Sequence, residues 1–457
     1  MCSRRYNYLS VLGESDALYA SDSLPQAAPS GLGISQGSVP VPRGGSFIRR
    51  FLAFAGPGYL VATGYMDPGN WATALAGGSQ FGTALLNVAV LSSLMAMVLQ
   101  ALSARLAFAT GHDLAQVCRA NFPKRVSIFF WLVGEGAIIA TDLAEVIGTA
   151  IGLQLLFGLP LPFGVAATAL DVFLILAFER FGFRKLEAFV VSLLIVIAAC
   201  FCVELVLARP DMAEVARGLV PSASLVTEPQ MLYLALGILG ATVMPHNLFL
   251  HSAIVRTRAI GPGEDDKRQA IRLSIVDSSV ALCLALLING AILVLAAAAF
   301  HAHGHHDVTD LSQAYELIAP LLGSVVAAKL FAIALICCGL NSTLTATLAG
   351  QVVMEGFVDL RLKPATRRLI TRLIAIVPAA LVIILAGASA AGRLIVLSQV
   401  ILSFALPFAV VPLVWFTASR KRLGNLVAPR ITTAFAWIIA LAILGLNGKL
   451  VLDALTS

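Results

Sequence analysis

The tetrapeptide Asp67-Pro68-Gly69-Asn70 stands in the middle of an apolar stretch, Leu52 to Gly82, that would otherwise read as one membrane-spanning helix. Pro68 has no N–H to donate and Gly69 resists helical order, so the helix is predicted to stop near Met66 and restart near Asn70. Backbone groups freed at membrane depth are tolerated only where they line a cavity or hold a ligand. The same break carries a carboxylate and a carboxamide, and an acid at the bilayer centre is costly enough to mark a functional site. A structural kink with Asp67 paired to a buried base is the plainer alternative, but a kink alone needs neither Asp nor Asn. A second proline interruption beside polar side chains, Met244-Pro245-His246-Asn247, repeats the pattern far along the chain. Three further acids, Glu135, Asp142 and Glu145, recur at spacings of seven and three, which places them on one stripe of a helix.

The elements that position these residues follow from composition. A chain of 457 residues that is 59% hydrophobic and 12% charged, with mean hydropathy +0.90, is an all-α polytopic membrane protein and no soluble domain. Net charge +6 could suggest nucleic acid, but the bases fall in short loops between apolar spans, so topology accounts for them and no nucleic-acid partner is implied. The seven cysteines show no paired metal-type spacing and imply no disulfide framework. Residues 1–50, rich in Ser, Gly and Pro, read as a disordered cytoplasmic tail without the apolar core of a signal peptide. Windows of roughly 20 apolar residues give about eleven helices: 52–77 (broken at 67–70), 82–108, 127–154, 160–178, 187–208, 231–257, 270–300, 323–352, 366–387, 394–418 and 432–454. Arg43, Arg49 and Arg50 precede the first span, and alternate loops carry Arg105 to Arg125, Arg180 to Lys185, Arg256 to Arg272, Arg361 to Arg372 and Arg420 to Arg430. The opposite loops hold only Arg209, Arg217, Arg393 and Lys449, a bias that puts the N-terminus in the cytoplasm and the C-terminus outside. The two breaks fall in the first and sixth spans, as an inverted five-plus-five repeat requires: about 51–208 and 230–418, with an extra helix at 432–454.

The paired motifs Asp67-Pro68-Gly69-Asn70 and Met244-Pro245-His246-Asn247 resemble the signature of the Nramp family of proton-coupled divalent-metal transporters. The resemblance extends to Thr141-Asp142-Leu143-Ala144-Glu145, to Gly350-Gln351-Val352-Val353-Met354-Glu355-Gly356, and to Leu397-Ser398-Gln399 through Leu406-Pro407-Phe408. It implies a LeuT-like fold. It also implies metal ligands at Asp67, Asn70, the Ala241 carbonyl freed by unwinding, and the Met244 thioether. Those donors make chemical sense, because oxygens alone would suit Mg²⁺ or Ca²⁺ whereas a thioether favours softer first-row ions. Met244 could otherwise be a core methionine. Gly64 could lend a carbonyl as its half-helix tilts, and Gln399 resembles a position that completes the metal shell, although an interhelical hydrogen bond would serve it equally.

Asp142 and Glu145 match family acids, and with Glu135 they suit a proton relay; the competing role for each is a structural ion pair with Arg272 or Arg372. His246, with an ordinary imidazole pKa of about 6.5, could couple protonation to the break or simply make a structural hydrogen bond. The run His301-Ala302-His303-Gly304-His305-His306-Asp307 lies in an outer loop and could concentrate metal or be a solvated loop. No Walker-type loop appears, which speaks against a primary pump. The expected function is import of Mn²⁺, and of Fe²⁺ and Cd²⁺, with protons across a bacterial inner membrane. Metal and H⁺ would be substrates and no resident cofactor is implied; the protein would not be an enzyme. The rivals are a sodium-coupled amino-acid symporter of the same fold and a non-transporting metal sensor, with a passive channel behind them.

Overall fold

Pro68 and Pro245 each occupy the first position of a helix, where a missing N–H costs nothing because no partner stands behind it. Each also leaves the carbonyl four residues earlier without a donor, so a helix must end just before it. The computed structural model, which describes residues 36–42, 46–171, 173, 183–360, 362–386 and 389–456, shows both endings. After a short helix α1 (Phe47–Phe54), the first span is split into α2 (Pro57–Gly64) and α3 (Pro68–Phe81). The break is therefore tighter than predicted. It runs from Tyr65 to Asp67, and Asp67 caps α3 by accepting the Asn70 backbone N–H at 2.8 Å. The expected restart near Asn70 gave too little weight to proline's fitness for the first helical position.

A 3₁₀ turn at Gly82–Leu85 leads from α3 to α4 (Leu86–Thr110), followed by α5 (Leu114–Asn121), the long α6 (Lys124–Phe157) and α7 (Leu161–Ala167). The predicted fourth span, 160–178, lies largely outside the described residues. Next come α8 (Phe183–Ala208), α9 (Met212–Gly218) and α10 (Ser224–Thr227), then the split sixth span, α11 (Pro229–Val243) and α12 (Pro245–Ile254). The rest is α13 (Glu264–Ala299), α14 (Leu311–Leu322), α15 (Val325–Val358), α16 (Pro364–Ala386), α17 (Ser389–Ala405), α18 (Pro407–Thr417), α19 (Arg420–Leu423) and α20 (Arg430–Thr456). Among the described residues, nine helical stretches are long and apolar enough to cross a membrane; one of them, Pro68–Thr110, has 43 residues. At 1.5 Å per residue that is about twice the hydrocarbon thickness, and it turns at Gly82–Leu85, so it holds part of the first span and all of the second.

Packing follows the repeat. Counting spans from the first, α3 touches α11 (spans one and six), α4 touches α13 (two and seven), α6 touches α15 (three and eight), and α7 touches α16 (four and nine). Contacts between α3 and α13 have their counterpart in those between α11 and α4, and contacts between α6 and α17 in those between α15 and α8. The core is one continuous apolar cluster through most of these helices, and leucine, isoleucine and phenylalanine face outward from α8, α16 and α20.

The N-terminal end of α2 is clamped. Asp277 of α13 accepts the backbone N–H groups of Gly56 at 3.2 Å and Gly58 at 2.7 Å, capping the half-helix from another element. Arg258, fully buried, donates to the carbonyls of Phe54 at 2.7 Å and Ala55 at 3.0 Å and pairs with Glu187 at 2.7 Å. Gly56 has φ +143°, and a Cβ there would meet the Glu187 carboxyl at 2.5 Å, so glycine is required on both counts. The predicted disordered tail of 1–50 is mostly outside the described residues, but 36–42 and 46–50 are placed: β1 (Val39–Pro40) pairs in parallel with β2 (Arg258–Ala259) beside this clamp, and the last four residues of the tail belong to α1, capped by Ser46.

Candidate functional site

The Asp67 carboxylate is completely buried between the two broken helices. Its Oδ1 accepts from the Asn70 backbone and, at 2.9 Å, from Asn70 Nδ2; its Oδ2 has no hydrogen-bond partner. Asn70 Nδ2 also donates to the Ala241 carbonyl at 2.9 Å, which ties the first break to the second. That carbonyl is freed by a different route from the one expected. α11 stays helical through Val243, and Ala241 lacks an intrahelical partner because residue 245, whose N–H it would take, is proline. The same arithmetic denies Gly64 the N–H of residue 68. A Cβ on Gly64 would lie 2.5 Å from Asn247 Nδ2, so the glycine lets that amide close on the half-helix.

Met244 joins the two halves of the sixth span with φ +23°, a strained value for a side chain with a Cβ. Its side chain packs with Ala137, Leu402 and Ala405, and its sulfur lies 3.5 Å from Asn247 Nδ2. The core-methionine packing is thus present together with a polar contact on the sulfur. Gln399 sits against the first break: a Cβ on Gly69 would overlap Gln399 Nε2 at 1.9 Å. Its Nε2 donates to Ser398 Oγ at 3.0 Å, a neighbour in its own helix, and its Oε1 has no partner. The Asn247 and Asn289 Oδ1 atoms and His246 Nδ1 are likewise buried and unpartnered. Around Asp67 there are therefore several oxygen acceptors with no donor assigned, a donor set that fits a hard-to-intermediate cation.

Several contributors escaped the sequence reading. Asn289 of α13 donates to the Tyr65 carbonyl at 2.7 Å and approaches Asn70 Oδ1 at 3.4 Å. Its signal was available, as a lone carboxamide in an apolar run. Cys338 Sγ donates to the Met66 carbonyl, and Gln100 Nε2 to the Tyr65 hydroxyl. Among the described residues no group of three His, Cys, Asp or Glu side chains is arranged to hold a metal, so the site depends on mixed carboxylate, amide and carbonyl donors.

The acids of α6 meet bases from α16. Glu135 receives Arg367 Nη2 on both oxygens at 2.8 Å. Asp142 pairs with Arg368, and Glu145 lies 3.3 Å from Arg368 and 3.7 Å from Arg372 while accepting Ser342 Oγ at 2.6 Å. Asp171, unremarked in the sequence, pairs with both Arg368, at 3.0 Å, and Arg372. Two expectations change. Arg272 is exposed and is not the partner; Arg367, Arg368 and Arg372 are buried ion-pair members, although by sequence they counted as loop bases. The first turn of a span and the end of its loop look alike until the facing helix is known. Glu135 also stands apart from the other two acids, holding its own arginine.

This geometry has known counterparts. The family profile described as "Natural resistance-associated macrophage protein-like" matches residues 58–453. The chain is 59% identical over 419 residues, 92% of either chain, to a protein of Brucella suis biovar 1 named divalent metal cation transporter MntH. A crystal structure of the Eremococcus coleocola manganese transporter, in complex with an aromatic bis-isothiourea substituted compound, superposes with TM-score 0.83 at 43% identity, covering 90% of this chain and 88% of that one. Inward-facing Mhp1 matches in fold alone, with TM-score 0.59 at 15% identity over 95% of this chain and 94% of that one. The scaffold is the LeuT-like inverted repeat, and with its two proline-broken helices meeting at Asp67, Asn70 and Ala241 the chain belongs to the Nramp family.

Proposed function

We propose that the protein is a secondary transporter that carries divalent transition-metal ions, Mn²⁺ foremost and Fe²⁺ and Cd²⁺ with it, into the cytoplasm together with protons. The observation that carries this reading is the Asp67 Oδ2 atom, a buried carboxylate oxygen without a donor, set between two helix breaks that the Asn70 amide joins through the Asp67 Oδ1 atom and the Ala241 carbonyl. The names of the relatives in Brucella suis and Eremococcus coleocola, a divalent metal cation transporter and a manganese transporter, support the class of cargo. The bias of bases in the loops supports an N-terminus in the cytoplasm of a bacterial cell and an outer C-terminus, even with the three α16 arginines removed from the count.

In this mechanism Asp67, Asn70 and the Ala241 carbonyl supply oxygens to the arriving cation. The Asn70 amide now holds Asp67 Oδ1 and Ala241 O together through its nitrogen. A dication on the same two oxygens replaces those N–H groups, so the amide must rotate to present Oδ1, giving up both Nδ2 hydrogen bonds and the long 3.4 Å contact from Asn289. The Met244 thioether adds the donor that Ca²⁺ and Mg²⁺ do not reward. Gln399 Oε1 and the Gly64 carbonyl are within the same neighbourhood and complete the shell as the half-helices move. A proton on Asp67 leaves when metal binds. It passes by His246 to the α6 network, where three carboxylates (Asp142, Glu145, Asp171) face two guanidiniums (Arg368, Arg372), an arrangement one proton brings to neutrality. Glu135 and Arg367 continue the polar line along α6 toward Lys124, the cytoplasmic end in the proposed orientation.

The test is uptake into liposomes holding a pH dye and a metal dye. Mn²⁺ should accumulate and the lumen acidify together, with millimolar Mg²⁺ without effect. Binding of Mn²⁺ with no uptake would assign a sensor instead, and sodium-driven amino-acid uptake without Mn²⁺ movement would assign the symporter.

A further inference from the structure

The histidine run between α13 and α14 is not a loose loop. His301 opens a 3₁₀ turn at His301–His303, and the segment is fastened to Ser79 near the end of α3: Ser79 Oγ donates to the His305 carbonyl at 2.8 Å and accepts the Val308 N–H at 3.1 Å. The His301 ring lies against Gly82, where φ is +58° and a Cβ would stand 3.2 Å from the ring. Its Nδ1 is 2.9 Å from the Ser79 carbonyl and 3.1 Å from His306 Nδ1, with the two rings at 71° to one another. The His301 nitrogen thus faces two further electron-pair donors at once, and it can carry only one hydrogen to share between them. Edges near 3 Å are what adjacent positions of an octahedral ion require when its bonds are about 2.1 Å. The carbonyl belongs to the last turn of α3, where the helix dipole favours positive charge.

We propose that His301 Nδ1, His306 Nδ1 and the Ser79 carbonyl form a second divalent-metal site, at the far end of the half-helix that begins at Asp67 and separate from the site between the breaks. Two imidazoles and a carbonyl, with water filling the remaining positions, suit Zn²⁺, Ni²⁺ and Co²⁺ above Mn²⁺, and exclude Mg²⁺ and Ca²⁺ in practice. Bound metal would tie the α13–α14 connection to α3. His303 and His305 take no part.

The experiment uses the full-length chain without a histidine tag, carrying Asp67→Ala so that the midplane site is silent, and titrates Zn²⁺ by calorimetry. One equivalent of Zn²⁺ should still bind, and Co²⁺ should give a visible ligand-field spectrum. Adding His306→Gln or His301→Ala should weaken Zn²⁺ at least tenfold and remove that spectrum, while His303→Ala changes neither. His306 is exposed, so its replacement leaves folding intact, checked by an unchanged melting profile without metal. No Zn²⁺ binding in Asp67→Ala, or binding that survives both histidine changes, overturns the proposal. It does not depend on transport: His306→Gln in the otherwise native chain should keep Mn²⁺ binding at Asp67, and failure of uptake in the native chain would leave the Zn²⁺ result standing.

Discussion

The Asp67 carboxylate has one oxygen engaged as a helix cap and one without a partner, and the difference between the two predicts what its loss will do. Asp67→Ala removes a cap, a cost of about 1 kcal/mol, and also removes an unsatisfied buried oxygen, which offsets it. The variant should therefore stay folded while calorimetry finds no Mn²⁺ binding; an unchanged affinity would move the site elsewhere. Met244 carries a double role. Truncation to Ala empties a pocket lined by Ala137, Leu402 and Ala405, costing about 2–5 kcal/mol, and deletes the one soft donor. Uptake by Met244→Ala should continue for Mn²⁺, become sensitive to millimolar Ca²⁺ and lose most for Cd²⁺. If Cd²⁺ preference and indifference to Ca²⁺ persist, packing is the whole of its role. The breaks marked Asp67, Asn70 and Met244 by type and place, and the family resemblance added Ala241 and Gln399; neither could say that Asn70's nitrogen faces two of the proposed ligand oxygens or that Asn289 stands behind it.

At the level of elements, proline chemistry explains more than the helix breaks themselves. A proline frees the carbonyl four residues before it, and the structure shows what two of the freed groups do. Ala241, behind Pro245, accepts from Asn70 in another broken helix; Ser403, behind Pro407, accepts from Asn447 of α20 at 3.0 Å. The first carbonyl shares its amide with the Asp67 carboxylate at the break, the second with the Ile443 carbonyl of α20 at 3.0 Å, away from the proposed site. Pro245→Ala restores an N–H that can engage Ala241 and relaxes the Met244 backbone, so Mn²⁺ affinity should fall at least tenfold. Pro407→Ala should leave it within twofold. Equal effects in a calorimetric comparison would show that the freed carbonyl is not a ligand. The α2 clamp is likewise an element-scale device, since Asp277 caps a helix it does not belong to and Arg258 holds the two carbonyls before it. Asp277→Ala should loosen the N-terminal end of α2, read as faster labelling of a cysteine placed at Tyr59.

Across the whole molecule, the acids of α6 are held by arginines more than 220 positions away in sequence. Arg368→Ala leaves Asp142 and Glu145 short of a buried partner and should destabilise by about 3–5 kcal/mol, seen as a lower melting temperature or lost expression. Asp142→Asn and Glu145→Gln are milder, and should slow Mn²⁺-driven proton influx more than they weaken Mn²⁺ binding; parallel loss of both would make the network structural. The contrast between what was legible and what was not has a physical basis. Hydropathy, proline and glycine act over a few residues, so the sequence alone determined that the chain spans a membrane many times, that the first and sixth spans are broken, and which polar side chains lie at the breaks. It did not place the break to the residue, because a proline ends one helix and begins the next with equal ease. Only tertiary structure decided which guanidinium meets which carboxylate, that Asp171 completes their set, that Val39–Pro40 pair beside the α2 clamp, and that His301 meets both Ser79 and His306. Those contacts join segments far apart in the chain, and nothing within one helical turn of a residue encodes its partner.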